Sequence, residues 1–283
     1  MIPPGWHQPL ERWRSRAVSP EIALAQLAMG ADGAPVLPAL RALAAEDDAL
    51  RPLLDIADAH ADRLAALERV VADGLEPAPA DRPDARLAAT AALFDRLAAH
   101  APDAAVAIYS LGDPAILARA TEEVVAVVEA WIPIVGRDLL DWGCGTGRVA
   151  AALAPRTRSV LGVDLSAGMV GQAARRHGAV PNLRFAQAAD LSGLAAEAFD
   201  VALAVDSLPF AVSAGGDVAV RALAGLRRVL RPGGDLIVFN WSYRGDPARD
   251  EADARAAPGF EVLRAGERPF RLWDGAGYRL RRR

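Results

Sequence analysis

Three glycines spaced by one residue are the part of the chain best suited to bind a ligand. Gly143, Gly145 and Gly147 follow an apolar stretch that ends in Asp141. Glycine adopts positive φ and has no Cβ, so a ligand can lie against the main chain of such a loop. The Ala-rich segment 148–153 predicts a helix whose first N–H groups favour an anionic group at the same place. We therefore expect a ligand with an anionic end.

A second acid defines the rest of the ligand. Asp164 ends the apolar segment 160–163, which predicts a strand, and an acid there can accept hydrogen bonds from the two hydroxyls of a ribose. The dinucleotide pattern G-x-G-x-x-G would need a third glycine where Arg148 stands. The spacing thus contradicts an NAD(P)-dependent oxidoreductase and leaves the pattern acid-x-G-x-G-x-G.

This pattern, with Asp141 two residues ahead of the first glycine, resembles the first motif of class I S-adenosylmethionine-dependent methyltransferases. The resemblance implies that Gly143, Cys144, Gly145 and Gly147 hold the methionyl end of S-adenosylmethionine. It also implies that Asp141 faces the ammonium group of the cofactor, directly or through water.

Later segments extend the resemblance, in order, over about residues 105–283. Segment 164–169 looks like the family's ribose-binding acid and helix start, and 184–191 like its third strand and acidic turn, where Asp190 would meet the adenine. Segments 199–206 and 226–238 look like the fourth strand and the helix, proline-glycine turn and fifth strand. The implied cofactor contacts are Asp164, Leu165, Met169, Ala189, Asp190, Leu191, Val205, Asp206 and Ser207.

Several residues are candidates for contact with the acceptor or for closing the site. Asp206 ends the fourth strand, where open α/β sheets place ligands, so it would contact cofactor or substrate. Phe210, Trp241 and Tyr243 follow strands four and five and are candidate substrate contacts, with core packing as the alternative. Tyr109 stands where many small-molecule methyltransferases place an aromatic over the cofactor, and packing is again the alternative.

The sequence identifies no catalytic residue. The transferred methyl of the cofactor is already activated, so alignment of the reactants can supply most of the rate and a general base is optional. The four histidines, at positions 7, 60, 100 and 177, lack metal-ligand spacing, and we expect no metal. His7 or His100 would act as a base only if the N-terminal helices fold over the site.

Composition excludes several function classes. All 32 basic residues are arginine, so a lysine Schiff base and a P-loop lysine are both impossible. The net charge of −4 argues against a nucleic-acid partner. A single cysteine fits a reducing compartment, and neither a signal pattern nor a long apolar run is present. We expect a cytoplasmic protein with no membrane partner.

Periodicity and breakers predict the domain organisation. Residues 1–104 form a helical domain, in which Ser19 and Pro20 start a helix and 50–71 form an amphipathic one. The proline-rich segment 74–83 is the best linker candidate. The resemblance implies that 105–283 form a doubly wound α/β domain with a seven-stranded sheet, whose final hairpin comes from 259–264 and 277–281.

The leading hypothesis is methyl transfer from S-adenosylmethionine to a small-molecule acceptor, with S-adenosylhomocysteine as product. The N-terminal helices would act as a lid, a substrate selector or an oligomerisation element. Two alternatives stay open: a methyltransferase acting on protein or RNA, and a non-catalytic protein that binds the cofactor as a scaffold. The Asp206–Pro209 segment lacks the Asn/Asp-Pro-Pro-Tyr motif of the family's amino-methylating branches, which disfavours base or amide N-methylation.

Overall fold

The computed structural model describes residues 2–30, 35–72, 74, 77–78 and 80–283. Residues 75, 76 and 79 of the linker predicted over 74–83 lie outside the described residues. The helices are α1 His7–Arg14, α2 Pro20–Met29, α3 Val36–Glu46, α4 Arg51–Ala59, α5 Ala61–Ala72, α6 Pro83–His100, α7 Pro102–Val106, α8 Pro114–Trp131, α9 Arg148–Leu153, α10 Ala167–His177, α11 Leu208–Ala214, α12 Val218–Val229 and α13 Pro247–Arg255. The strands are β1 Asp138–Trp142, β2 Ser159–Asp164, β3 Leu183–Gln187, β4 Phe199–Val205, β5 Leu230–Phe239, β6 Phe260–Glu267 and β7 Gly277–Arg282.

The chain divides into two compact units that interleave along the sequence. The first, mostly helical, comprises Met1–Glu76, His100–Ala120 and Phe270–Asp274, and the second comprises Pro77–Ala99, Thr121–Pro269 and Gly275–Arg283. Helix α6, which the sequence placed in the N-terminal domain, therefore belongs to the same unit as the sheet. The domain boundary at 104/105 remains a proposal.

Local signals explain the helices of the first unit. Ser19 Oγ accepts a hydrogen bond from Ile22 N at 3.3 Å and Pro20 occupies the first turn, as the sequence predicts for the start of α2. The single amphipathic helix predicted over 50–71 is instead two helices. His60 leaves the helical region with φ −117° and ends α4.

The second unit is built on a seven-stranded mixed sheet in the order β3-β2-β1-β4-β5-β7-β6. Strands β1 to β5 are parallel, and β7 runs antiparallel to both β5 and β6. The predicted α/β fold class, with its C-terminal antiparallel hairpin, is confirmed. Because the strand order reverses between β1 and β4, a crevice at their carboxyl ends is the expected ligand position.

A charged network holds the opposite, amino-terminal edge of this sheet. Asp138 forms an ion pair with Arg158 and accepts hydrogen bonds from Ser159 Oγ at 2.7 Å and Arg231 Nη2 at 3.0 Å. Its backbone N–H donates to Asp200 Oδ2 at 2.9 Å. These bonds join β1, β2, β4 and β5, and those from Arg158, Ser159 and Arg231 hold the pKa of Asp138 well below its usual value.

Replacing Asp138 with asparagine should lower the free energy of unfolding by about 1–3 kcal/mol at pH 7, because several charge-assisted bonds are lost together. The pKa of Asp138 is lower in the folded than in the unfolded state, so its contribution is present above about pH 4 and is lost as the pH falls through the folded-state pKa. Urea unfolding at pH 7 and pH 3 measures both effects. Asp84→Asn is the control, because Asp84 forms an exposed ion pair with Arg221. This substitution should cost under about 0.5 kcal/mol.

Candidate functional site

The carboxyl ends of β1, β2 and β4 bring the principal candidate residues to one edge of the sheet. The glycine loop follows β1, Asp164 ends β2, and Asp206 follows β4. The loop is fixed to the neighbouring strand because Gly143 N and Cys144 N both donate to Val163 O, at 2.8 and 3.0 Å. The position of the glycine loop at this edge is therefore set by main-chain hydrogen bonds to β2.

The glycine loop has the backbone conformation that its sequence predicts, but partly for a different reason. Gly143, Gly145 and Gly147 have φ of +77°, +52° and +77°. A Cβ at Gly143 would overlap Ser207 Cβ, and one at Gly147 would lie 2.6 Å from Phe185 Cζ. Protein side chains, and not only a ligand, therefore exclude larger residues at these two positions.

Asp141 is a buried carboxylate beneath this loop. Among the described residues its Oδ2 has no hydrogen-bond partner. Burial raises its pKa to about 7, and the charge of Arg148 opposes that shift. The hydroxyl of Thr146, also buried and without a described partner, was not among the predicted site residues. A buried acid at the end of β1 and a buried hydroxyl in the loop that follows leave polar groups for a ligand to satisfy.

Asp164 has both carboxylate oxygens oriented by the main chain. Oδ2 accepts from Gly145 N at 2.8 Å and Oδ1 accepts from Ser166 N at 2.9 Å. Burial raises the pKa of Asp164, while the bonds from Ser166 and Gly145 lower it. Because a carboxylate has about four acceptor positions, both oxygens can still accept from a ligand's hydroxyls.

Of the other predicted site residues near the glycine loop and β2, Cys144 and Met169 are buried in the protein interior. Cys144 is buried and its thiol has a raised pKa because of that burial, which argues against a reactive thiolate. Met169 is fully buried in the first turn of α10. Leu165 is partly exposed, and its carbonyl accepts from Gln187 Nε2 at 3.2 Å.

The segment after β3 places Asp190 in a local turn. Its Oδ1 accepts from Ser192 N at 2.8 Å and Ser192 Oγ at 2.6 Å, and these bonds lower the pKa of Asp190. Ala189 is exposed, whereas Leu191 is buried in the core. The observed bonds are those of a turn-stabilising acid, and contact of these three residues with an adenine remains a prediction.

Asp206 lies between two polar neighbours at the ends of β4 and β5. Its Oδ1 accepts from Asn240 Nδ2 at 2.9 Å and from Tyr243 OH at 2.8 Å. Asp206 and Asn240 have φ of +57° and +63°, the left-handed conformation that acids and amides adopt in special turns. Val205 is partly buried, and Ser207 Oγ donates to Trp142 O at 2.8 Å.

Asn240 was not predicted, although one signal could have identified it. It follows β5 as Asp206 follows β4, and adjacent parallel strands bring their carboxyl ends together. Its side chain also accepts a bond from Ala276 N at 3.2 Å. We therefore add Asn240 to the candidate contacts of the methyl acceptor, which lie after β4 and β5; this group is called the acceptor side of the site.

Three aromatic rings form a row on this side of the site. Phe210 meets Phe94 edge to face at 5.1 Å and Tyr243 at 5.7 Å between ring centroids. Tyr243 is about half exposed, at 53%. Trp241, the third predicted substrate contact, is buried and its ring packs against Tyr278 at 5.4 Å. The observed contact of Trp241 is core packing, and its substrate role stays a prediction.

Tyr109 lies in the helical unit. It is buried on a short 3-10 helix, Ile108–Ser110, and stacks on Trp273 at 6.0 Å between centroids. A role over the cofactor remains a prediction. Within the described ranges, we find no group of three or more His, Cys, Asp or Glu residues that could hold a metal, and no helix long and apolar enough to cross a membrane.

Residues 140–238 match a family model described as a methyltransferase domain. The chain is 31% identical over 170 residues to an O-methyltransferase of Aspergillus sclerotiorum, an alignment that covers 57% of this chain and 61% of the relative. It is also 31% identical over 144 residues to an S-adenosyl-L-methionine-dependent Diels-Alderase of Talaromyces variabilis. That alignment covers 48% of this chain and 47% of the relative. The chain thus spans about half to three fifths of these relatives.

Among solved structures, the fold resembles magnesium protoporphyrin IX methyltransferase of Synechocystis PCC 6803, whose structure holds bound S-adenosylmethionine. The TM-score is 0.55 at 22% identity, and the alignment covers 73% of this chain and 99% of that protein. At this identity the likeness concerns the fold alone.

Proposed function

We propose that this chain is a class I S-adenosylmethionine-dependent methyltransferase. It transfers a methyl group from S-adenosylmethionine to a small-molecule acceptor. The observation that carries the proposal is the pair of acids around the glycine loop. Asp164 presents a main-chain-oriented carboxylate at the end of β2, and Asp141 is a buried acid with an oxygen lacking a described partner.

The chemistry of these groups fits the cofactor. The two oxygens of Asp164 match the vicinal hydroxyls of a ribose. Asp141 would accept from the cofactor ammonium, which would favour the ionised carboxylate and offset the cost of its burial. The positive end of α9 and the loop N–H groups would favour the cofactor carboxylate. Metal, hydride and Schiff-base chemistry are not needed to explain this set of residues.

When bound, S-adenosylmethionine supplies an electrophilic methyl group on a sulfonium. A nucleophilic oxygen, nitrogen, sulfur or carbon of the acceptor forms the new bond to that carbon, and the electrons of the broken bond stay on sulfur. The protein's contribution is to align the acceptor and exclude water, which can supply about 7–11 kcal/mol in favourable cases. Asp206, which accepts hydrogen bonds from Asn240 and Tyr243, would orient a polar group of the acceptor.

The residues near Asp206 favour an acceptor that is a small molecule with an apolar part. Tyr243 donates to Asp206 and its ring meets that of Phe210, so apolar and polar groups lie together there. The net charge of −4 disfavours an RNA acceptor. The similarity to an S-adenosyl-L-methionine-dependent Diels-Alderase favours a second candidate function. In that function the same cofactor site would serve a reaction without methyl transfer.

The test is thermal unfolding with S-adenosylmethionine, S-adenosylhomocysteine or NADH added separately to the wild type and to Asp164→Ala. A ligand at about 100 times its dissociation constant stabilises by about 2.7 kcal/mol. We expect stabilisation by the two adenosyl sulfur compounds only. The variant should fold but bind them at least about tenfold more weakly, because a hydrogen-bonded charged group is lost.

Turnover then separates the candidate functions. Formation of S-adenosylhomocysteine in the presence of a panel of small phenols, acids and amines would support methyl transfer. Binding with no such product across acceptors would favour the non-methylating or scaffold alternatives. Stabilisation by NADH alone, or equal affinity in Asp164→Ala, would overturn the proposal.

A further inference from the structure

Helix α6 precedes the methyltransferase match by about 40 residues, yet its Asp95 contacts the segment that follows Asp164. Asp95 Oδ1 accepts from Ser166 Oγ at 2.6 Å and from Gly168 N at 2.8 Å. Ser166 N in turn donates to Asp164 Oδ1, and Gly145 N donates to Asp164 Oδ2. One chain of hydrogen bonds therefore runs from α6 through Asp164 to the glycine loop.

The contact between α6 and α10 is close as well as polar. A Cβ at Gly168 would lie 3.0 Å from Ala98 Cβ and 3.2 Å from Asp95 Cα. Gln172 Nε2 donates to Ala98 O at 2.7 Å, one turn further along α10. The glycine at 168 is therefore needed for α6 to approach the first turn of α10, and the position of Asp95 is fixed by contacts on both sides.

Asp95 and Ser166 each accept a hydrogen bond from a backbone N–H group in the first turn of α10. Ser166 Oγ accepts from Met169 N at 3.0 Å, which leaves its single hydrogen for Asp95. Asp95 takes the N–H of Gly168, a second donor without an intrahelical partner. A carboxylate at a helix N-terminus is also favoured by the helix dipole. Without Asp95, the serine hydroxyl would lose its acceptor and its fixed orientation.

We propose that Asp95 is a positioning residue for cofactor binding, which through Ser166 holds the Asp164 carboxylate in the orientation that receives the ribose hydroxyls. This inference rests on the proposed function, because it assumes that Asp164 binds the cofactor ribose. In this proposal Asp95 acts through Ser166 and Asp164 and is not itself a ligand of the cofactor or of the reacting atoms. Its nearby charge also raises the pKa of Asp164, which places the two carboxylates in one electrostatic environment.

The experiment is calorimetric titration of S-adenosylhomocysteine into the full chain and its variants. Asp95→Ala and Ser166→Ala should each weaken binding about tenfold. Asp95→Asn should stay within about threefold of the wild type, because both bonds from α10 go to Oδ1 and an amide oxygen can accept them. Asp84→Ala is the matched control, since Asp84 is an acid on α6 paired with Arg221 outside this network. Its affinity should change less than twofold.

A double-mutant cycle distinguishes positioning from general stability. If Asp95 acts through Asp164, Asp95→Ala should have little further effect on affinity in an Asp164→Ala background. Equal losses with and without Asp164, or an unchanged affinity in Asp95→Ala despite a lower melting temperature, would overturn the positioning role. Absence of S-adenosylhomocysteine binding by the wild type would instead refute the proposed function, so the two failures are distinguishable.

Discussion

Replacing Gly143 with alanine should lower the free energy of unfolding by about 2–5 kcal/mol and weaken S-adenosylhomocysteine binding at least about thirtyfold. The new Cβ would overlap Ser207 Cβ, and φ at this position is +77°. The clash contributes about 1–3 kcal/mol and the left-handed conformation about 1–2 kcal/mol. Relief requires a shift of the loop, which would displace the proposed cofactor contacts.

Two further variants separate the clash from the backbone strain. Gly233 has nearly the same φ, +75°, but open space around the added Cβ, so Gly233→Ala should cost only about 1–2 kcal/mol and leave binding unchanged. Combining Gly143→Ala with Ser207→Gly removes the overlapping atom and should restore most of the binding. Urea unfolding and calorimetry measure both quantities. A Gly143→Ala protein that behaves like Gly233→Ala would refute the packing argument.

Replacing Asp141 with asparagine should stabilise the ligand-free protein at pH 8 and weaken its binding of S-adenosylmethionine. Burial raises the pKa of Asp141 from 3.8 to about 7. The folded state therefore keeps a proton that the unfolded state releases, and stability is lost as the pH rises from about 4 to about 7. Asparagine does not titrate, so it lacks this loss, which amounts to about 2–3 kcal/mol between pH 5 and pH 8.

The binding half of this prediction depends on the cofactor ammonium. Exchanging a carboxylate for an amide beside a cation should weaken S-adenosylmethionine binding about tenfold or more. Methylthioadenosine has the same nucleoside but no ammonium, so its affinity should change less than threefold. Urea unfolding at pH 5 and pH 8 with calorimetry of both ligands tests the two effects. An equal loss for both ligands would mean that Asp141 shapes the loop instead of meeting the ammonium.

Much of the fold of the second unit could be predicted from local signals. Strands of parallel sheets are buried on both faces, so 138–142, 160–164 and 199–205 read as short apolar runs ended by turns or acids. The serine-proline start of α2 is equally local. The proline-glycine turn predicted before the fifth strand falls instead inside β5, which begins at Leu230, where the register with β4 shifts. The prediction for 50–71 was wrong because the apolar spacing continues across His60, although the backbone there leaves the helical region.

The residues that sequence reasoning missed have weaker local signals or none. Asp95 lies 71 residues before its partner Ser166, and nothing in the spacing of α6 marks it. Asn240 has one sequence signal, its position directly after β5, but its bond to Asp206, 34 residues away, depends on the pairing of β4 with β5. These contacts form only when separate elements meet.

The sequence by itself determined the class of the sheet, the glycine loop and the placement of acids at or next to the carboxyl ends of β1, β2 and β4, because those features depend on residue type and short spacing. Tertiary structure decided what those residues touch. It put Ser207 against Gly143, made Trp241 a core residue beside Tyr278, and brought Asp95 to α10. The physical reason is that backbone conformation and burial period are local properties, whereas steric exclusion and side-chain hydrogen bonds depend on which distant elements pack together.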